Sequence, residues 1–254
     1  ELNQILKKNL KKNKYFKKKK ISNKDFSFIN NYELIVNCNY FHNITKKYFS
    51  KKIEKRYNAF AYTTTIKHKK ILNDAAIQIF TENGPLAFLP ISSTETSIVY
   101  SVHNANNKKI DIEKLICKYN FKYKINKFEK IDSFELQSLN LRSYSHNNIL
   151  AFGDLIHRIH PLAGQGFNMT IRDIKTLVEI IQNKCDLGLP LDSSVNYEFE
   201  KSLKYKNFIF SNGIDVIYEF FNFERKIKNN ILSKLIQFFG KNILINKVFT
   251  KIAD

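Results

Sequence analysis

Apolar residues recur at helical spacing in several stretches of the chain and cluster in short β-rich runs between them. Leu2, Ile5, Leu6 and Leu10 predict an amphipathic helix over residues 1–13, with no capping residue ahead of it. Residues 32–38 (YELIVNC) and 60–68 (FAYTTTIKH) predict strands, being short runs of aromatic and β-branched residues. Residues 75–81 (AAIQIFT), the turn-forming Asn83-Gly84-Pro85, and the runs LAFLPI and TSIVYSV predict an antiparallel meander. Residues 110–119 return to helical periodicity, and residues 149–152 form a short strand candidate running directly into Gly153-Asp154. Phe167, Ile171, Ile174, Val178 and Ile181 then keep 3-and-4 spacing, so a helix is expected from just after Gly164-Gln165-Gly166 to about Lys184. Gly188 to Pro190 ends it, and the remaining chain reads as two or three apolar-faced helices. The pattern is that of an α/β (α+β) protein with an antiparallel sheet and C-terminal helices, without repeats or a Gly/Ser linker.

At 254 residues, with 43% hydrophobic and 26% charged residues, the chain has the composition of a globular protein with its own core. The net charge of +19 is local: residues 1–70 carry 19 Lys and Arg against 4 Asp and Glu, and the rest 23 against 19. The densest run, KKNLKKNKYFKKKK over residues 7–20, has the charge to attract phosphate backbones or an anionic bilayer. It lacks the interleaved aromatic signature of an RNA-binding surface, so nucleic acid is a weak expectation and a solvated face the simpler one. Cys38, Cys117 and Cys185 are far apart with no CxxC pair, which argues against disulfides and a zinc ribbon and for reduced, mostly buried thiols. With no apolar run near 18 residues and no signal-peptide core, a cytoplasmic protein is expected.

Candidate chemistry concentrates in residues 150–173, LAFGDLIHRIHPLAGQGFNMTIRD, which read as a strand, a carboxylate, a glycine-rich turn and a helix start. Asp154, at the end of a buried strand, is rigidly held to accept hydrogen bonds from a sugar-like hydroxyl. Gly164 and Gly166 leave room for a backbone to approach a flat or phosphorylated ligand. The helix that follows offers unpaired N–H groups and the positive end of its dipole to anionic charge. Asn168, in its first turn, adds an amide that donates to a carbonyl or accepts from a ring N–H.

These residues resemble the second FAD-binding motif of aromatic-ring flavoprotein monooxygenases, most closely the ubiquinone-biosynthesis hydroxylases of the 2-octaprenyl-6-methoxyphenol hydroxylase type. Gly153, Asp154, His157, His160, Pro161, Ala163, Gly164, Gln165, Gly166, Asn168, Arg172 and Asp173 stand in register with that motif. Phe80 and the run from Gly84 to Pro90, Phe134-Glu135-Leu136, and then Tyr197, Asn212-Gly213 and Phe220-Phe221 follow in the family's order. The resemblance implies FAD as cofactor, NAD(P)H as reductant and a phenolic, polyprenylated quinone precursor as substrate, hydroxylated by way of a flavin hydroperoxide. It implies that Asp154, beside Gly153, accepts hydrogen bonds from the ribityl chain. Pro161, Ala163, Gly164, Gln165 and Gly166 would pass beside the isoalloxazine, and the helix opening at Phe167 and Asn168 would face the pyrimidine edge. No catalytic base is assigned.

The same comparison divides the chain into a remnant of the FAD-binding domain (1–57), a substrate-binding sheet (58–136), the FAD-binding segment (137–190) and a helical region (191–254). All seven glycines lie at Gly84 or later, so the family's GxGxxG unit has no counterpart here, and an N-terminally incomplete member is the expectation. Cys38-Asn39-Tyr40 stands where the family has ADG. Leu155-Ile156 replace two small residues and Thr170 replaces a glycine, changes expected to crowd the flavin pocket.

Three other readings compete. A degenerate, non-catalytic relative would act as an accessory partner among quinone-biosynthesis proteins. Asp154, His157 and His160 have a spacing that suits a metal if helical, but Pro161 and the glycines argue against a helix there and for a packing role. The apolar stripe from Phe220 to Phe249, with Lys226, Lys228, Lys234 and Lys241, is either helix packing or a dock for the inner face of a membrane.

Overall fold

The computed structural model describes residues 2–23, 25–103, 110–160 and 165–227. The first helix, α1 (Leu2–Lys12), matches the predicted span and is exposed along its described length, as are the lysines up to Lys20. Strand β1 (Ile35–Asn37) is followed by the short helix α2 (Asn43–Tyr48), whose Ile44 N–H is capped by Nδ1 of His42 at 3.2 Å. Next comes β2 (Lys52–His68), a 17-residue strand that starts eight residues before the predicted one. Its first half, KIEKRYN, is too polar to signal a strand, and it forms because it pairs with a later strand on its flank. The register shifts between Arg56 and Phe60, where Asn58 takes a left-handed φ of 50°.

The predicted meander is present as β3 (Ile77–Thr81), β4 (Gly84–Pro90) and β5 (Glu95–His103), consecutive and antiparallel. Gly84 turns between the first two at φ 135°, and a Cβ there would sit 2.1 Å from the Ser101 carbonyl oxygen, so no other residue fits. Helix α3 (Ile112–Tyr119) is capped by the Asp111 carboxylate, which accepts from the Lys114 N–H at 3.0 Å. It packs Ile112 and Ile116 against Ile66, Leu86, Phe88 and Ile98 of the sheet. Strands β6 (Ile125–Phe128) and β7 (Asp132–Leu141) lie in the stretch the pattern left polar, and both pair with β2.

Two short strands, β8 (Ser145–His146) and β9 (Ile149–Ala151), form a hairpin through Asn147 at φ 50°, and β9 runs parallel to β1. Strand β10 (His157–Arg158) returns to the edge of β7, and the chain closes with α4 (Gln165–Asp186) and α5 (Ser193–Ile227). There are thus two sheets among the described residues. The large one has the order β10-β7-β2-β5-β4-β3 with β6 on β2, and the small one the order β1-β9-β8. One continuous 35-residue helix, α5, replaces the shorter helices expected up to residue 227, passing through Gly213 unbroken. The apolar and basic positions beyond residue 227 lie outside the described residues.

The two sheets share α5 as a strut. Near its N-terminus, the Asn196 amide donates to the Asn147 carbonyl at 2.9 Å, and Glu200 accepts from the Tyr144 and Ser145 N–H groups at 3.0 and 3.1 Å, all in the small-sheet hairpin. Burial alone would raise the Glu200 carboxyl; hydrogen bonds from Lys204, Ser145 and Tyr144 outweigh it and hold the carboxyl below the usual carboxylate range. Further on, α5 crosses the large sheet one strand at a time. Asn140 of β7 donates to Ser211 at 2.9 Å, Tyr57 of β2 donates to Asp215, and Tyr218 meets His103 of β5 at 3.1 Å.

The three cysteines are free and exposed, which corrects the expectation of buried thiols. Cys38 follows β1 in an open turn, Cys117 faces outward on α3, and Cys185 lies in the last turn of α4, so none reaches a core.

Candidate functional site

Strands β1 and β9 are parallel, so their C-terminal ends open at the same edge of the small sheet, the position at which open α/β sheets receive ligands. The Phe152 N–H donates to the Asn37 carbonyl at 3.0 Å, placing the turn after β1 beside Gly153-Asp154. Gly153 holds φ 66° with nothing within 4 Å of where a Cβ would be, and Asp154 is exposed in the single 3-10 turn that follows. Gly153 is thus required by its own left-handed backbone, while the site of its missing side chain is left free of protein atoms.

On the other side, α4 spans Gln165–Asp186, so Gly166, Phe167 and Asn168 lie in its first described turn. Among the described residues, a Cβ at Gly166 would meet Ile159 at 3.9 Å, an ordinary contact. Phe167 is 62% exposed and Asn168 lies outward beside it. Pro161, Ala163 and Gly164 lie outside the described residues, as does the side chain of Gln165. Of the nine residues expected to contact cofactor, Gly153 and Asp154 lie in the 3-10 turn after β9, and Gly166, Phe167 and Asn168 in the first turn of α4, the helix that packs against that turn.

Other motif residues do a different job. Nε2 of His157 lies 2.5 Å from Oδ2 of Asp173, both side chains almost completely buried; a carboxylate only accepts, so the ring donates. Asp173 also receives the Asn207 amide at 3.5 Å, and Arg172 donates to the Asn207 carbonyl oxygen. This knot ties β10, α4 and α5 together. His157 is thus engaged by Asp173 rather than turned toward Asp154, and no group of metal-ligating side chains forms among the described residues.

His160 sits 1% exposed, edge-on to Tyr57 with ring centroids 4.9 Å apart and 4.3 Å from the Tyr218 ring. Both of its ring nitrogens lack a hydrogen-bond partner. Burial first, then the nearby His103 and Lys55, pushes its pKa down to about 3, so the ring is neutral. Behind it, Tyr57 donates to Asp215, and burial followed by that carboxylate pushes the phenol well above its ordinary value.

The replacements expected to crowd the flavin pocket pack elsewhere. Leu155 and Ile156, 2% and 0% exposed, enter the core among Ile149, Leu150, Leu177 and Phe199. The Thr170 hydroxyl bonds back to the Gly166 carbonyl at 3.3 Å. Tyr40 does fill the edge beside the site, its hydroxyl taking a hydrogen bond from Lys52 at 2.7 Å and Arg158 lying 5.3 Å over its ring. Asn207, Tyr57, Asp215 and Tyr218 were missed from sequence. The available signal was Asn207, Ser211, Asp215 and Tyr218 recurring at helical spacing within an otherwise apolar face.

Residues 79–184 match the FAD binding domain family model. The chain is 29% identical over 163 residues to 3-demethoxyubiquinol 3-hydroxylase of Escherichia coli, covering 59% of this chain and 40% of that protein. It is 27% identical over 198 residues to the ubiquinone biosynthesis monooxygenase COQ6 of Dictyostelium discoideum, covering 73% and 37%. The resemblance to ubiquinone-biosynthesis FAD hydroxylases holds. Among solved structures, p-nitrophenol 4-monooxygenase PnpA from Pseudomonas putida superposes with a TM-score of 0.69 at 9% identity, covering 87% of this chain and 59% of that one. OxyS anhydrotetracycline hydroxylase from Streptomyces rimosus gives 0.64 at 13%, covering 87% and 45%. The fold is that of the FAD-dependent monooxygenases, and the chain spans about 40% of the length of the curated relatives it matches.

Two outcomes follow for the residues around the loop. His157→Ala strands a buried carboxylate and is expected to lower unfolding stability by about 3 kcal/mol in urea denaturation. Asp173→Ala added to it should cost less than the two single changes summed. Because the folded His160 pKa lies below the unfolded value, the unfolded chain binds more protons in between. Stability is therefore complete above about pH 6.5 and falls toward pH 3, by up to about 1.4 kcal/mol per pH unit from this residue. His160→Gln should flatten that part of the stability profile, and an unchanged slope would contradict the assignment.

Proposed function

We propose that this chain belongs to an FAD-dependent monooxygenase that hydroxylates the phenolic ring of a polyprenylated precursor in ubiquinone biosynthesis, with NAD(P)H as reductant. The observation that carries the proposal is the placement of Gly153 and Asp154 at the C-terminal end of the parallel pair β1 and β9, in a turn packed against α4, the helix that carries Gly166 and Asn168. The residues present fit the riboflavin half of FAD: a carboxylate for hydroxyls, open space at a glycine, and a helix N-terminus for negative charge. FAD, when bound, supplies hydride acceptance and oxygen activation.

The chain's own groups bind and orient. Asp154 accepts from ribityl hydroxyls, and Gly153 lets the backbone approach without a side chain. The first N–H groups of α4, through Asn168, stabilise charge on the pyrimidine edge. The His157, Asp173 and Asn207 knot holds β10 against α4 and α5. The wall of Tyr57, His160 and Tyr218 keeps water from that side, His160 entering as a neutral ring.

The membrane surface and other quinone-biosynthesis proteins are the partners this reading implies, since a polyprenyl substrate resides in the bilayer. No helix among the described residues is long and apolar enough to cross a membrane. The second reading, a non-catalytic accessory relative, is favoured by one observation: the Tyr40 ring, held by Lys52 and Arg158, stands where the resembling hydroxylases have glycine.

Visible spectra after incubation with FAD and desalting separate the two. The proposal expects a retained, perturbed flavin band, weakened about tenfold or more in affinity by Asp154→Ala. A colourless wild-type chain, or retention indifferent to Asp154, would favour the accessory reading.

A further inference from the structure

Helix α5 carries an outer stripe as well as its buried one. Lys201, Tyr205, Phe208, Asn212, Val216 and Phe223 recur at helical spacing, and Tyr205, Val216 and Phe223 are 72, 67 and 57% exposed. Between this stripe and the ends of β2 and β7 lies a cavity of about 700 Å³, lined by Ile53, Arg142, Lys201, Tyr205 and Phe208 among others. A second cavity of about 620 Å³ lies further along the helix, at Asn212, Val216 and Phe223, and shares Ile53 and Asn140 with the first. The two therefore adjoin as one groove, along which α5 rises about 22 Å from Lys201 to Val216. None of its lining residues belongs to residues 150–173 or to the wall of Tyr57, His160 and Tyr218, so the groove is separate from the candidate cofactor site.

The two ends of the groove differ in charge. At the first, Lys204 is engaged by Glu200 at 2.8 Å, and Glu200 is further occupied by the N–H groups of the small-sheet hairpin. Arg142 and Lys201 form no ion pair among the described residues, so that end keeps two uncompensated cations. At the second, Lys55 lies 2.9 Å from Glu219 and 4.0 Å from Asp215, which leaves acid in excess over base. An anion is thus drawn to the first end and repelled from the second, while Ile53, Phe208, Val216 and Phe223 offer apolar surface between and beyond. A groove of this length, cationic at one end and apolar along its course, complements a single apolar chain that ends in one anionic group. The planar fork of Arg142 matches a carboxylate, which it can hold through two parallel hydrogen bonds.

We propose that the groove between α5 and the ends of β2 and β7 binds a long-chain carboxylate, its head at Arg142 and Lys201 and its chain running past Ile53 and Phe208 toward Val216. A compact anion would leave the second cavity unused, and a two-chain lipid would find only one apolar track.

The test titrates the chain with hexadecanoate and with octanoate, both below their micellar concentrations and without FAD, by calorimetry. One hexadecanoate per chain is expected, bound about tenfold or more tighter than octanoate because only the longer acid enters the second cavity. Arg142→Gln with Lys201→Gln should weaken hexadecanoate about tenfold or more, whereas Lys14→Gln with Lys17→Gln, an equal loss of charge elsewhere, should leave it unchanged. Val216→Ser should narrow the gap between the two acids. All these positions are exposed, so the circular-dichroism melting curve should not move. No saturable binding, equal affinity for the two acids, an equal loss with the control pair, or displacement of hexadecanoate by saturating FAD would overturn the proposal. Recruitment of the chain to phosphatidylglycerol vesicles without binding of monomeric hexadecanoate would also overturn it, by assigning the stripe to a lipid surface. Binding is read without flavin, so its failure and a failure of FAD binding are separate results.

Discussion

The buried bond between His157 and Asp173 is the constraint on which the site depends. It joins the last strand of the large sheet to the helix that opens at the glycine-rich turn, and Asn207 brings α5 into the same knot. A carboxylate with 0% exposure is tolerated only because a donor lies 2.5 Å away. Within this motif, His157, Arg172 and Asp173 hold the frame, while Gly153, Asp154 and Asn168 belong to the two elements that the frame holds beside each other.

The long helix α5 extends that frame to the whole molecule. Its buried stripe alternates apolar residues with Asn196, Asn207 and Ser211, which meet the β8–β9 hairpin, α4 and β7 in turn. Burying them unpaired would cost about 1–3 kcal/mol each, so their hydrogen bonds fix the helix in one register along both sheets. The same helix carries Asp215 and Tyr218 to the wall behind His160, which ties the surroundings of the loop to the packing of the sheet.

Much of this was legible in the sequence where local pattern decides. The helix at residues 165–186, the meander around Gly84 and the strand before Gly153-Asp154 all follow from periodicity and turn chemistry. The first half of β2 and all of β7 did not, because KIEKRYN and DSFELQSLNL become strands by pairing with each other across about eighty residues rather than by composition. The motif around Gly153 and Asp154 is a continuous local pattern, whereas the wall of Tyr57, His103, His160 and Tyr218 comes from four separate stretches of chain that no local spacing brings together. Leu155 and Ile156 mislead for a related reason: position in a motif does not say which way a side chain turns, and both turn inward.

The most direct measurement is amide hydrogen exchange of the chain with and without saturating FAD, read peptide by peptide. If the cofactor lies between β9 and α4, protection rises at residues 153–155 and 165–169 and stays constant in the meander around Gly84–Pro90. Protection confined to the meander, or exchange around Gly153 and the start of α4 that FAD does not alter, would contradict the account.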